Sequence, residues 1–136
     1  MPLPCTNDRL FAVTWGNGEA NGTGTSASIY TSQGTVKTDL SIAGTGVSAF
    51  EADTPAYASL VFDPDGERFL FLAEGATAIY QMEISGTVLT ITVLSTTGES
   101  LPASVYTWGR MAYISEFKSV VFMPAGNTNL YAMKLA

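Results

Sequence analysis

A chain that repeats itself must fold as a repeat, and here one stretch recurs over 25 residues without a gap. The segment "LVFDPDGERFLFLAEGATAIYQMEI", Leu60 to Ile84, falls on "MAYISEFKSVVFMPAGNTNLYAMKL", Met111 to Leu135, after a shift of 51 positions. Phe71/Phe122, Gly75/Gly126, Thr77/Thr128, Tyr80/Tyr131 and Met82/Met133 are identical, and most other pairs exchange apolar for apolar or charged for charged. A period of this length is one supersecondary unit that cannot bury its apolar faces alone, so neighbouring units have to cover them. A weaker copy opens the chain. "RLFAVTWG", Arg9 to Gly16, aligns with "RFLFLAEG", Arg68 to Gly75; Ile29-Tyr30 matches Ile79-Tyr80 and Leu130-Tyr131; Gly34-Thr35-Val36 matches Gly86-Thr87-Val88. Between Gly16 and Ile29 this copy carries extra Gly, Asn, Ser and Thr residues, the composition of an exposed, mobile loop.

Each unit reads as strands. Helical spacing is nearly absent, because no window of eleven or more residues escapes interruption by Gly, Pro or β-branched residues. Runs rich in β-branched and aromatic residues, bounded by turn formers, predict strands at Arg9–Thr14, Ser26–Thr31, Thr35–Ile42, Tyr57–Phe62, Arg68–Ala73, Thr77–Ile84, Val88–Leu94, Arg110–Ile114, Ser119–Met123 and Leu130–Leu135. Asp63-Pro64-Asp65-Gly66 predicts a hairpin turn with positive φ at Gly66, and Ser85-Gly86 a second, very short one. Four consecutive strands joined in this way form a meander, here labelled A to D. The middle copy supplies A at Tyr57, B at Arg68, C at Thr77 and D at Val88. The first copy begins at B, unless Pro2–Thr6 provides an A strand, and the last copy stops after C. The array thus starts and finishes inside a repeat.

Length and composition constrain the rest. A chain of 136 residues, 46% hydrophobic, is long enough for one core and short for two domains, so a single all-β domain with repeats over roughly 7–50, 56–97 and 107–136 is expected. Charged residues are only 13%, which suits a subunit that hides much of its surface against neighbours; a Thr/Ser-rich, weakly charged β protein is the alternative reading. Net charge is −6, and the six cations Arg9, Lys37, Arg68, Arg110, Lys118 and Lys134 are scattered. No basic stripe exists to neutralise phosphates, so no direct nucleic-acid binding is expected. The apolar runs fall well short of a membrane span, and "MPLPCTNDRL" lacks the regions of a signal peptide; a soluble chain in a virion or the cytoplasm is the expectation.

A unit of about 50 residues built from a four-stranded meander is what a β-propeller blade requires. "RMAYISEFKSVVFMPAGNTNLYAMKL" resembles blades of propellers outside the WD40 class, with an Arg–aromatic strand, an apolar strand and an Ile/Leu-Tyr strand in succession. The opening "DRLFAVTWG…ASIYTSQGTVKTDLSIAGTG" resembles blades in tail proteins of short-tailed phages, the nozzle and packaged-DNA stabilisation proteins. That similarity covers about the first 50 residues. It implies a structural protein of a virion or tail, a partial propeller that closes its ring by oligomerising with copies of itself or with a partner subunit, because propellers have about four to eight blades. The chain is far shorter than those proteins and lacks WD dipeptides and the paired glycines of kelch repeats. The competing architecture is a β-trefoil, which also has three repeats and closes as a monomer; its usual Gln-X-Trp signal is absent.

Chemistry is thinly represented. With no histidine and with Cys5 as the only cysteine, the commonest general base, thiolate-rich metal sites and Ser-His or Cys-His nucleophiles are excluded. No catalytic residue, metal or cofactor is expected. The carboxylates Glu51 and Asp53, and Asp63, Asp65 and Glu67, are expected in solvated turns, and "DPDGE" lacks the length and closing Glu of a calcium loop. Gly16-Asn17-Gly18 and Gly22-Thr23-Gly24 precede no helix that would hold a phosphate. Aromatic residues are the better candidates. Trp15 and Trp108 each precede a glycine at the end of an apolar segment, and Tyr57, Tyr106 and Tyr113 lie near predicted turns. Buried, such rings are blade core; exposed, they anchor a protein partner or stack on sugars. The candidate binding residues are therefore Trp15, Asn17, Asn21, Tyr106 and Trp108, with a carbohydrate-binding, lectin-like module as the alternative to a structural and interaction protein.

Overall fold

The computed structural model describes residues 9–16, 24–31, 36–53, 58–72, 76, 78–95, 97, 110–123 and 129–135, with the backbone alone for 9–16, 24, 25 and 31. Among them lie ten strands: β1 (Arg9–Gly16), β2 (Gly24–Thr31), β3 (Lys37–Ala43), β4 (Ser59–Asp63), β5 (Arg68–Leu72), β6 (Tyr80–Ser85), β7 (Val88–Val93), β8 (Met111–Ile114), β9 (Ser119–Phe122) and β10 (Tyr131–Lys134). Each predicted strand overlaps one of them, with ends that differ by at most three residues. The fold is mostly β. One helix departs from the expectation, α1 (Val47–Ala52), and a 3-10 turn spans Ser115–Phe117.

Packing divides the chain into two compact units, Met1–Ala52 with Met82–Thr92, and Asp53–Gln81 with Val93–Ala136. In the first unit the hydrogen-bonded strand order is β1-β2-β3-β7-β6. β1 and β2 pair antiparallel from Arg9–Thr31 to Gly16–Gly24, and β2 pairs antiparallel with β3 from Ala27–Leu40 to Tyr30–Lys37. β6 and β7 are joined by Gly86-Thr87 alone. A two-residue link forces an antiparallel hairpin, and Gly86 takes the positive φ, 60°, that the first central position demands.

The joint between β3 and β7 is different: the two strands run parallel, with Ser41 opposite Val88 and Ala43 opposite Thr90. Two D strands, one from each of the first two copies, thus meet edge to edge. Directly beyond, the chain presses onto β7. Gly46 N–H donates to the Ile91 carbonyl at 2.9 Å, and Gly44 sits at φ 113°, where a Cβ would lie 2.2 Å from that same oxygen. Only glycine fits so close an approach. This contact launches α1, whose first turn closes by the Phe50 N–H donating to the Gly46 carbonyl, and whose Phe50 is fully buried. Six residues are too few to show a helical period, which is why the sequence predicts no helix there.

In the second unit β4 and β5 form an antiparallel hairpin, with Leu60 opposite Phe71 and Asp63 opposite Arg68. β5 borders β6, whose first two residues belong to this unit. A second sheet has the order β10-β9-β8, and β4 lies against β8. The two A–B hairpins share one register. Leu60–Phe71 becomes Met111–Phe122 and Phe62–Phe69 becomes Tyr113–Val120, each pair shifted by 51. B–C pairing is less constant. Tyr131 opposes Phe122, whose counterpart in the first copy is Ala12, whereas Tyr30 opposes Leu10, two positions away. A shift of two keeps every side chain on its own face. The core of this unit is built from Phe69, Leu70, Phe71, Leu72, Ile79, Tyr80, Val120 and Phe122. Four consecutive buried residues in β5 mark a strand covered on both faces, as its unbroken apolar run requires.

Candidate functional site

The densest polar grouping in the second unit is the turn between β4 and β5. Asp63 begins it and is 1% exposed, which corrects the expectation of a solvated carboxylate. Its Oδ1 accepts from the N–H groups of Asp65 and Gly66, both at 3.1 Å, while Oδ2 accepts from Arg68 Nε at 2.9 Å. Burying a carboxylate is costly unless charge and hydrogen bonds compensate, and this one has both. The Arg68 guanidinium, itself largely covered, also donates through Nη1 to Gln81 Oε1 at 2.8 Å.

The turn corrects a second expectation. Positive φ falls on Glu67, at 51°, and not on Gly66. Gly66 serves another purpose: a Cβ there would stand 2.6 Å from Asp63 Oδ2 and 2.7 Å from Arg68 Nε, inside the ion pair. The corresponding turn of the third copy has the same left-handed residue, Lys118 at φ 46°, again shifted by 51. There Ile114 and Ser119 replace the ion pair and Phe117 stands where glycine was, 70% exposed. One backbone path is therefore held by two unrelated sets of side chains.

Two tyrosine–carboxylate contacts complete the grouping. The Tyr113 hydroxyl on β8 donates to Asp65 Oδ2, tying the two A–B hairpins together, and the buried Tyr80 hydroxyl donates to Asp53 Oδ2. The bond to Asp65 chiefly holds the Tyr113 hydroxyl protonated well above its ordinary range. For Tyr80 burial is the larger cause and Asp53 the second. Asp53 is half-buried, and Glu51 is exposed on α1. Sequence reasoning placed Tyr113 near a turn but missed Arg68, Gln81 and Tyr80 as polar partners. In the first unit Asp39 Oδ1 accepts from Ser28 Oγ across the β2–β3 ladder and from Lys37 Nζ on its own strand, each at 2.7 Å. That pair is exposed; Lys37 is raised by its bond to Asp39, and Asp39 is lowered by Lys37 first and Ser28 second.

Chemically, these groups are engaged with one another. Both oxygens of Asp63 are taken by donors within its own hairpin, and among the described residues no three His, Cys, Asp or Glu side chains converge as metal ligands would. The grouping holds hairpins in place. Of the predicted binding residues, Trp15 lies on β1 opposite Thr25, one position before the pair that ends the ladder. Asn17, Asn21, Tyr106 and Trp108 lie outside the described residues, as does Tyr57.

A surface feature carries more weight. Tyr80 and Met82 on β6 are 2% and 0% exposed, while the identical residues of the third copy, Tyr131 and Met133 on β10, are only half-buried. Tyr131 stacks on Phe122 with ring centroids 5.7 Å apart, so one of its sides is covered. Leu130, directly before β10, is 64% exposed. No protein-family model, curated protein or solved structure matches the chain. Among the described residues no helix is long and apolar enough to cross a membrane.

Proposed function

We propose that this chain is a non-enzymatic structural and interaction protein, a β-repeat subunit that assembles with copies of itself or with a partner subunit. The observation that carries the reading is the unequal cover of Tyr80 and Met82 against Tyr131 and Met133. The repeat writes the same core residues twice and buries them once. Apolar groups placed on a core-type face and left half-open call for a further surface, since their burial is the main source of association energy. Low charge on the chain supports the same conclusion.

Within this reading the second and third copies are successive blades of a partial propeller. Their A strands, β4 and β8, lie against each other, as the inner strands of neighbouring blades do around a channel. The parallel joint of β3 and β7 is no blade contact, because it merges the first two copies edge to edge. In this reading association with other chains completes the ring, and a virion or tail particle is the setting that the resemblance of the first 50 residues suggests. Static light scattering on the purified chain tests the proposal. A mass that rises with concentration toward a defined oligomer is expected. A monodisperse monomer that captures no protein partner overturns it.

A further inference from the structure

We propose that the outer edge of β10 is a self-association site, where β10 of a second copy adds antiparallel about a two-fold axis through Ala132. The proposal rests on the assembly reading above and specifies its surface. β10 ends the order β10-β9-β8. The strands at the same place in the other copies, β2 and β6, each have a neighbour on both sides, β1 with β3 and β5 with β7. A C strand in this repeat is thus built to be flanked twice, and among the described residues β10 is flanked once. An edge of this kind offers a row of backbone donors and acceptors that a second strand satisfies. The half-buried Tyr131 and Met133 lie on one face of that strand and gain cover when the sheet continues.

The occupant and register follow from parity and charge. Residues directly opposite in a sheet share a face, so Tyr131 and Met133 join an equivalent apolar row only if residues of like parity are opposed. A two-fold axis at Ala132 sets Tyr131 against Met133 of the second copy, and Ala132, the smallest side chain of the strand, against itself. It also sets Leu130 against Lys134 of the second copy. Lys134 is the only charge on β10, and this register keeps the two lysines apart. Its aliphatic stem then covers the exposed Leu130 while the ammonium stays in water. A strand that pairs with itself uses one patch on both partners, which closes at a dimer and leaves no growing end.

Sedimentation velocity of the full chain and three variants tests this. The wild type is expected to dimerise reversibly. Leu130→Lys brings two like-charged pairs face to face and should weaken the dimer by about tenfold or more, because symmetry counts the contact twice. Adding Lys134→Glu to it should restore association, and Leu130→Glu alone should tighten it. Leu130 is exposed, so these changes leave the subunit folded, which circular dichroism checks. Hydrogen exchange supplies the second readout, with β10 amides protected in proportion to dimer. An oligomer indifferent to Leu130→Lys overturns the edge but leaves the assembly reading standing. A monomer with no partner, its β10 amides open, overturns both. Protection of β10 at every dilution means that another segment of the same chain covers the edge, and also overturns the proposal.

Discussion

Asp63 is a carboxylate that the fold cannot easily lose. Its side chain is nearly inaccessible, its two oxygens serve three donors, and its removal would strand the Arg68 guanidinium in a covered position. Breaking one half of such a pair leaves an uncompensated charge, so Asp63→Ala should cost about 3 kcal/mol in urea unfolding. The third copy shows what a compensated replacement looks like, with Ile114 and Ser119 at these positions. Asp63→Ile combined with Arg68→Ser should therefore cost less than Asp63→Ala, although the hydrogen bond from Arg68 to Gln81 is then lost. The turn itself was legible in Asp-Pro-Asp-Gly. Burial of its first residue was not, because nothing local distinguishes an aspartate that caps a turn in water from one enclosed beside an arginine.

The tyrosine contacts give a dependence on alkaline pH at the same scale. Both hydroxyls are held protonated above the ordinary value of 10.0, Tyr80 by burial and Asp53, Tyr113 by Asp65. Their contribution to stability is complete below the pKa of the unfolded tyrosines. It declines above about pH 10, where the unfolded chain releases protons that the folded chain retains. Unfolding free energy should thus fall as the pH is raised above about 10, and less steeply in Tyr80→Phe or Tyr113→Phe than in the wild type. An equal slope in all three would remove these hydroxyls from the account. These pairings were not legible in the sequence, since their partners stand 27 and 48 positions apart.

At the scale of elements, strands were readable and the helix was not, for one reason. A strand here is announced by its own residues, by β-branched and aromatic runs with turn formers at each end, as in Arg68–Leu72 between Asp65-Gly66 and Gly75. α1 is set by a distant element. Gly44 and Gly46 allow the backbone to seat against Ile91 and Thr92 of β7, and that seat turns the chain into six helical residues that close over Phe50. The parallel pairing of β3 with β7 is equally non-local. Gly44→Ala should show what the seat is worth. It combines a positive φ with a Cβ overlapping the Ile91 carbonyl, and should cost at least about 2 kcal/mol, read as a lowered thermal midpoint. Gly86→Ala, with a positive φ but open space around it, should cost about 1 kcal/mol.

For the whole molecule the repeat poses a comparison that one pair of variants settles. Met82 and Met133 are the same residue at the same place in two copies, one fully buried and one half-buried. Met82→Ala removes core volume within a subunit and should cost about 3 kcal/mol whatever the protein concentration. Met133→Ala removes a side chain that the isolated subunit covers only in part. Its cost should be smaller than that of Met82→Ala in dilute solution and should grow as the chain is concentrated, because assembly stabilises the folded state in proportion to how far it is populated. Thermal midpoints of both variants and the wild type, measured over a concentration series, separate the two behaviours. Parallel displacement of both variants at every concentration would mean that Met133 is ordinary core, already covered by its own chain, and that the open face of the third copy is no docking surface.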